Sequence, residues 1–334
     1  MYIAPRRPEG AQPTGRTLVT PRLYRHPHGI TAVDAEYLYP GHAAAHLIVD
    51  AGRAAFVDVG TNFSVPYLRA ALAALGIAPS AVDYLLLTHV HLDHAGGAGL
   101  LLRELPNATV YLHPRGAAHL IDPTKLIAGS QLVYGKARFA ELYGQLVPLP
   151  AERVRVAADG EQVRLGERTL ELIHTPGHAL HHYAVVDAAH GSIFPGDTFG
   201  ISYRAFDTAQ GAFIFPTTTP TQFDPEQLVA SIERMLAYRP ESMYLMHFSR
   251  VTDVPRLGES LKSQVRELAR LARAHAKDAD PAAGIRAAMR ELWVEAAHRH
   301  GCRHSEAQLD QLLQGDLELN TQGLVVWLAR AQPH

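Results

Sequence analysis

The run Thr88-His89-Val90-His91-Leu92-Asp93-His94-Ala95-Gly96-Gly97 sets three imidazoles and a carboxylate within six residues, directly after a strand-like stretch at 81–87. His89 and His91 are two apart, so in extended backbone both rings leave the same side of the chain. Asp93 and His94 are adjacent, so they diverge and reach a different point. That geometry suits two metal ions side by side better than one. A divalent ion needs three or four protein ligands, with room for water where the site is hydrolytic, so other parts of the chain must supply more. His178 sits in His174-Thr175-Pro176-Gly177-His178, between strand-like runs at 169–173 and 183–186. Asp197 sits in Phe194-Pro195-Gly196-Asp197-Thr198, and His247 ends the apolar run 243–247. Each lies at a strand end beside turn residues, where donors can converge on one rim of a sheet while the strands stay buried.

In this order of motifs (His-x-His-x-Asp-His, Thr-Pro-Gly-His, Gly-Asp-Thr, a late His) the chain resembles the metallo-β-lactamase superfamily over roughly residues 20–250. The resemblance implies that His89, His91 and His178 hold one metal, that Asp93, His94 and His247 hold the other, and that Asp197 bridges them. It also implies an αββα sandwich, two β-sheets packed face to face with helices outside and the site at one edge. Independently, strand-like runs at 55–59, 85–87 and 109–112 alternate with helical patterns at 64–75 and 225–237, which reads as a layered α/β architecture.

Two divalent ions sharing a bridging hydroxide make a nucleophile at neutral pH, because metal binding lowers the pKa of water from about 15.7 towards about 7. Asp93 would orient that water and carry a proton to the leaving group. Tyr203, shortly after Asp197, could donate to a developing oxyanion, with Phe199 or Phe213 as an apolar wall. Asp58, ending an apolar strand, is expected to hold a ligand imidazole in place, and His182, four residues after His178, to lie beside the ligands near the site. Several β-lactam-hydrolysing members carry a cysteine where Asp197 stands, so the resemblance is rather to thioesterases, lactonases and phosphodiesterases. Phosphodiesterases acting on RNA need basic exosites, and none shows here. The reading is a metal-dependent hydrolase of a small ester, lactone or thioester. Glyoxalase II also has a C-terminal helical region, but its basic glutathione-binding signature is missing, so a glutathione thioester is disfavoured. The alternative is an iron-dependent oxidoreductase resembling the persulfide dioxygenases, which use one iron and fewer ligands. Zinc is the first choice of metal; iron and manganese suit the same donors.

The elements that must position these residues occupy most of 334 residues, of which 47% are hydrophobic. We divide the chain into a loose tail at 1–17, a catalytic domain at 18–250 and a helical region at 251–334. In the last, Leu257, Leu261, Val265, Leu268 and Leu271 mark one helix. Ile285, Met289, Leu292, Trp293 and Ala296 mark a second, Leu309, Leu312 and Leu313 a third, and Leu324, Val325 and Leu328 a short fourth. These helices either shape the substrate pocket or make a homodimer contact. A net charge of −2 argues against nucleic acid as a partner, and no apolar run approaches the roughly 20 residues that span a bilayer. With one cysteine, Cys302, no intramolecular disulfide forms, and with no apolar signal core near the start the expected location is cytoplasmic. Most of the twenty histidines are not ligands. His113 and His119 are expected to pack or cap near the surface, His42 and His46 to flank an early strand, and His298, His300 and His304 to sit in a solvated loop.

Overall fold

The computed structural model describes residues 19–218 and 222–331; the tail expected at 1–17 lies outside them. The chain forms two compact units, Met1–Leu172 and Ile173–His334.

The first unit holds a seven-stranded sheet: β1 (Leu23–Arg25), β2 (Ile30–Asp34), β3 (Ala44–Asp50), β4 (Arg53–Val57), β5 (Val82–Leu86), β6 (Thr109–Leu112) and β7 (Val154–Val156), lying side by side in chain order. The first four pair antiparallel through short connections. From β4 to β7 the pairing is parallel, and a parallel neighbour needs a long crossover. Helices supply each one: α1 (Val65–Ala74), then α2 (Leu92–Ala95) and α3 (Ala98–Leu102), then α4 (Ala117–Ile121), α5 (Thr124–Tyr134) and α6 (Lys136–Tyr143). Phe56, Leu85, Leu87 and Val110 of the sheet share a core with Leu68 and Leu72 of α1. The strand expected at 55–59 runs earlier, and ends because Asp58 turns into the left-handed region (φ 54°). That turn aims the Asp58 carboxylate away from the strand.

The second sheet is β8 (Glu161–Leu165), β9 (Arg168–His174), β10 (Tyr183–Asp187), β11 (Ser192–Phe194), β12 (Ser242–Leu245) and β13 (Ser249–Val251), again in chain order. In the second unit, β11 and β12 are parallel and α7 (Pro225–Leu236) makes the crossover, capped by Asp224, whose carboxylate accepts from the Glu226 and Gln227 amides. Three long helices follow: α8 (Val254–His275), α9 (Pro281–Arg299) and α10 (Glu306–Ala331). Leu257, Leu261, Val265 and Leu268 are buried as the spacing predicts, in one core with Ile285, Met289, Trp293, Leu309 and Leu313. Phe199, Ile201, Phe213 and Phe215, from the segment after Asp197, belong to the same core.

Two expectations need correction. The third and fourth C-terminal helices are one, because the buried stripe Leu309, Leu313, Leu317, Leu324 and Trp327 continues unbroken past Gly323; burial along that face outweighs the roughly 1 kcal/mol a helical glycine costs. The histidine loop is not simply solvated. His300 is buried, packs tilted against Phe213 with ring centroids 5.2 Å apart and bonds the Gly211 carbonyl (3.0 Å), while His304 bonds the Ala205 carbonyl (2.9 Å). Among the described residues no helix is long and apolar enough to cross a membrane.

His46 lies on β3 between Ala32 and Val57, and burial, aided by the charge of His26, lowers its pKa from 6.5 to about 3. The unfolded chain takes up a proton near pH 6.5 that the folded chain refuses until about pH 3. His46 therefore makes stability rise with pH across that window, by at most about 1.4 kcal/mol per pH unit. His46→Leu should flatten the acid limb of urea midpoints measured against pH; an unchanged slope would refute a buried neutral ring. Gly315 is an exposed position inside α10 where an added Cβ meets nothing within 4 Å. Gly315→Ala should stabilise the protein by about 0.5–1 kcal/mol, and a lowered melting temperature would contradict that helix.

Candidate metal centre

In the first unit the donors follow β5. His91 is the residue before the single turn of α2, and its carbonyl accepts from the His94 and Ala95 amides. The turn is held by its neighbours: Val59 N–H donates to the His94 carbonyl (2.8 Å) and Gly97 N–H to the Gly60 carbonyl (2.9 Å). Gly97 is required there, since a Cβ would strike the Thr61 carbonyl. His89 Nε2 and His91 Nδ1 converge to 2.6 Å with the rings nearly perpendicular (83°). Thus both rings do face one point, although a helical turn, not continued strand, follows them. His94 Nε2 lies 3.9 Å from Asp93 Oδ2.

Asp58 organises this cluster. Its carboxylate accepts from the Thr88 amide (2.8 Å), the Thr88 hydroxyl (2.9 Å) and His94 Nδ1 (2.8 Å), and it is 2% exposed. The His94 proton is thereby held on Nδ1, leaving Nε2 to face inward. The sequence pattern held no sign of a tyrosine cluster nearby. The Tyr37 and Tyr143 hydroxyls meet at 3.2 Å, and Tyr134 packs on Tyr143 at 5.8 Å. Burial, to which the Asp93 charge adds, raises the pKa of all three phenols, so they stay protonated.

In the second unit His178 follows Gly177, whose φ of 127° and close approach to the Leu228 backbone admit no side chain. Its Nδ1 faces the Thr217 carbonyl (3.4 Å), which can only accept, so Nδ1 carries the proton. Nε2 then points at Asp197 Oδ2, 3.5 Å away. The other carboxylate oxygen, Oδ1, lies 3.9 Å from His247 Nε2. One carboxylate faced on each oxygen by a different imidazole is the disposition of a bridging ligand. A neutral ring nitrogen opposite a carboxylate oxygen sets lone pair against lone pair, which a shared cation makes favourable. His182 holds the backbone behind it. The Asp197 amide donates to His182 Nε2 (3.2 Å), so His182 is protonated on Nδ1, beside Thr175 Oγ1 (2.9 Å) and Thr198 Oγ1 (3.1 Å).

Tyr203 is next to a backbone pairing of Ser202 with His247 and Phe248. Its hydroxyl donates to Asp316 Oδ1 on α10 (3.3 Å), so this proton is already engaged and would have to be released before it served an oxyanion. Burial raises Asp316 from 3.8 to about 6, against the opposing pull of His247 and the Tyr203 hydrogen bond. Sequence reasoning missed Asp316. The signal was present as a carboxylate interrupting the apolar stripe of α10.

The first unit thus supplies His89, His91, Asp93 and His94, and the second His178, Asp197 and His247, all of a chemistry able to hold metal ions. All are imidazole or carboxylate. Cys302 is not among them.

The chain is similar to several known proteins. A metallo-beta-lactamase fold-containing protein of Sulfurisphaera tokodaii is 29% identical over 170 residues, covering 50% of this chain and 60% of its own. A hydroxyacylglutathione hydrolase of Xanthomonas euvesicatoria is 32% identical over 209 residues, 61% of this chain and 59% of that protein. The chain thus spans three-fifths or less of the length of the curated relatives it matches first. A metallo-beta-lactamase family protein of Thermus thermophilus has the same fold at 20% identity, with a TM-score of 0.57 over 93% of this chain and 92% of that one. The family model described as the metallo-beta-lactamase superfamily matches residues 38–247, more than half the chain, and the protein belongs to that superfamily.

Proposed function

We propose that the protein is a dinuclear metal-dependent hydrolase acting on a small-molecule thioester, with esters and lactones as the neighbouring substrate classes. The observation that carries this reading is the Asp197 carboxylate, faced on each oxygen by a different imidazole, in a chain that supplies seven imidazole and carboxylate donors. His89, His91 and His178 would hold one ion, Asp93, His94 and His247 the other, and Asp197 would bridge, each of its oxygens facing a different ring. Zinc is the metal proposed, since neutral imidazoles and carboxylates suit it and no thiolate is involved. When bound, such a pair supplies an activated water at neutral pH and polarises the scissile carbonyl.

The chain's own residues do the rest. Asp58 and the Thr217 carbonyl fix the protonated nitrogens of His94 and His178, so the opposite nitrogens need no reorganisation to bind. Asp93, partly exposed at the side chain, would take up a proton from water and pass it to the leaving group. The thioester class is favoured by the relatives named hydroxyacylglutathione hydrolase, about 30% identical. Glutathione itself is not the substrate proposed, because the basic glutathione-binding signature of glyoxalase II is missing from the sequence.

Metal analysis of protein made without added metal should return about two ions per chain. A panel of small acyl thioesters, esters, lactones and phosphodiesters should give turnover first on the thioesters. His89→Ala should abolish turnover while leaving the melting temperature of the metal-free protein within a few degrees. One tightly held iron per chain, with oxygen uptake on a persulfide, would replace this reading by an oxidoreductase. Asp58→Asn, which swaps an acceptor for a donor opposite His94 Nδ1, should weaken metal binding by about 10–100-fold in chelator competition. Unchanged affinity would remove Asp58 from the site.

A further inference from the structure

The helix α10 lies outside the matched family region at 38–247, yet it carries the most buried polar side chain of the C-terminal helices. Asn320 is 1% exposed, on a stripe otherwise made of Leu313, Leu317, Leu324 and Trp327. A buried amide costs stability unless its hydrogen bonds are made. Here they are. Asn320 Oδ1 accepts from the Thr218 amide, and the Thr218 hydroxyl lies within reach of both Asn320 Oδ1 (2.8 Å) and its carbonyl (3.0 Å). Asn320 Nδ2 donates to the Asp316 carbonyl (2.8 Å). Further along α10, Arg330 donates to the Phe223 carbonyl (2.6 Å) and Trp327 packs on Phe223. The helix therefore grips the chain on both sides of residues 219–221.

Described residues on either side, Thr217, Gln222 and Asp224, also meet the His178 turn. Asp224 N–H donates to the Gly177 carbonyl (2.8 Å), Leu180 N–H donates to Gln222 Oε1 (2.9 Å), and the Thr217 carbonyl faces His178 Nδ1. Thr217 and Thr218 are adjacent, so the amide that Asn320 holds belongs to the same peptide unit as the carbonyl that faces His178. A rigid peptide plane transmits orientation directly.

We propose that Asn320 is a positioning residue for the metal centre: through the Thr217–Thr218 peptide it fixes the His178 ring with Nδ1 protonated and Nε2 turned towards the ion. The inference rests on the dinuclear reading for what His178 does, but not for which of its nitrogens bears the proton.

The test has two readouts. In the metal-free protein, nitrogen-edited NMR should show a slowly exchanging His178 Nδ1–H, assigned by its absence from His178→Gln. Asn320→Ala should lose that signal and weaken metal retention by about 10–100-fold in chelator competition. Leu324→Ala, one turn along the same buried stripe, should lower the melting temperature but leave both readouts at the wild-type value. Should Asn320→Ala fail to fold, Thr218→Val, which keeps the side-chain volume and the backbone amide, should weaken retention in the same direction by less. A folded Asn320→Ala or Thr218→Val with the signal and the affinity intact overturns the proposal, and so does equal loss in Leu324→Ala, which would make the role merely structural. A wild-type protein that shows the Nδ1–H signal but binds no metal would overturn the dinuclear reading while leaving the positioning role standing.

Discussion

An imidazole offers a cation one nitrogen, and once the ring is buried the other nitrogen must be satisfied without water. His89, His94 and His178 are fully buried, so the constraint bears on each of them. For His94 the partner is Asp58, for His178 the Thr217 carbonyl, and for His89 the Thr88 hydroxyl at 3.1 Å. Thr88 serves twice, since its hydroxyl also reaches Asp58. Much local architecture follows from meeting these needs. Asp58 occupies a left-handed backbone position, costly for a non-glycine residue at of order 1 kcal/mol. The cost is offset by three hydrogen bonds to a carboxylate that would otherwise be buried alone.

The donors themselves were legible because metal chemistry restricts residue type and spacing severely. Four of them fall in six residues, and the other three each close a strand beside Gly or Pro or at the end of an apolar run. The elements were legible nearly as well, since Thr109–Leu112 and Pro225–Leu236 follow plain strand and helix patterns. The strand before Asp58 was misplaced by two residues because a positive φ leaves no trace in hydropathy. In α10, Gly323 alone reads as a helix break, whereas the buried stripe on either side of it is continuous.

Asp58 and His182 stood out in the sequence, but the other residues that hold the donors did not. Thr88 and Thr198 sit beside His89 and Asp197, and Thr175 lies in the turn leading to His178, so a hydroxyl close to each donor was a usable sign. Thr217 contributes only its carbonyl, which every residue possesses, and no pattern of side chains could single it out. Asp316 and Asn320 were detectable in principle as polar breaks, four residues apart, in an apolar helix face. Such a break is also what a partly exposed helix shows, so by itself it does not mark a site.

These details change what the C-terminal helices mean. A cover that merely buried apolar surface would need only the leucines and tryptophans of α8, α9 and α10. This one adds directed polar contacts to the segment between Asp197 and α7: His300 and His304 on the carbonyls of Gly211 and Ala205, Asp316 on the Tyr203 hydroxyl, and Asn320 on Thr218. Apolar packing tolerates sliding and exchange of similar volumes. Hydrogen bonds at fixed geometry do not, and a buried polar group left unpaired costs about 1–3 kcal/mol. The helices thus impose one register on the stretch that runs from Tyr203 to Thr218. Precision at His178 and His247 is therefore a property of the whole second unit, not of the motif residues alone.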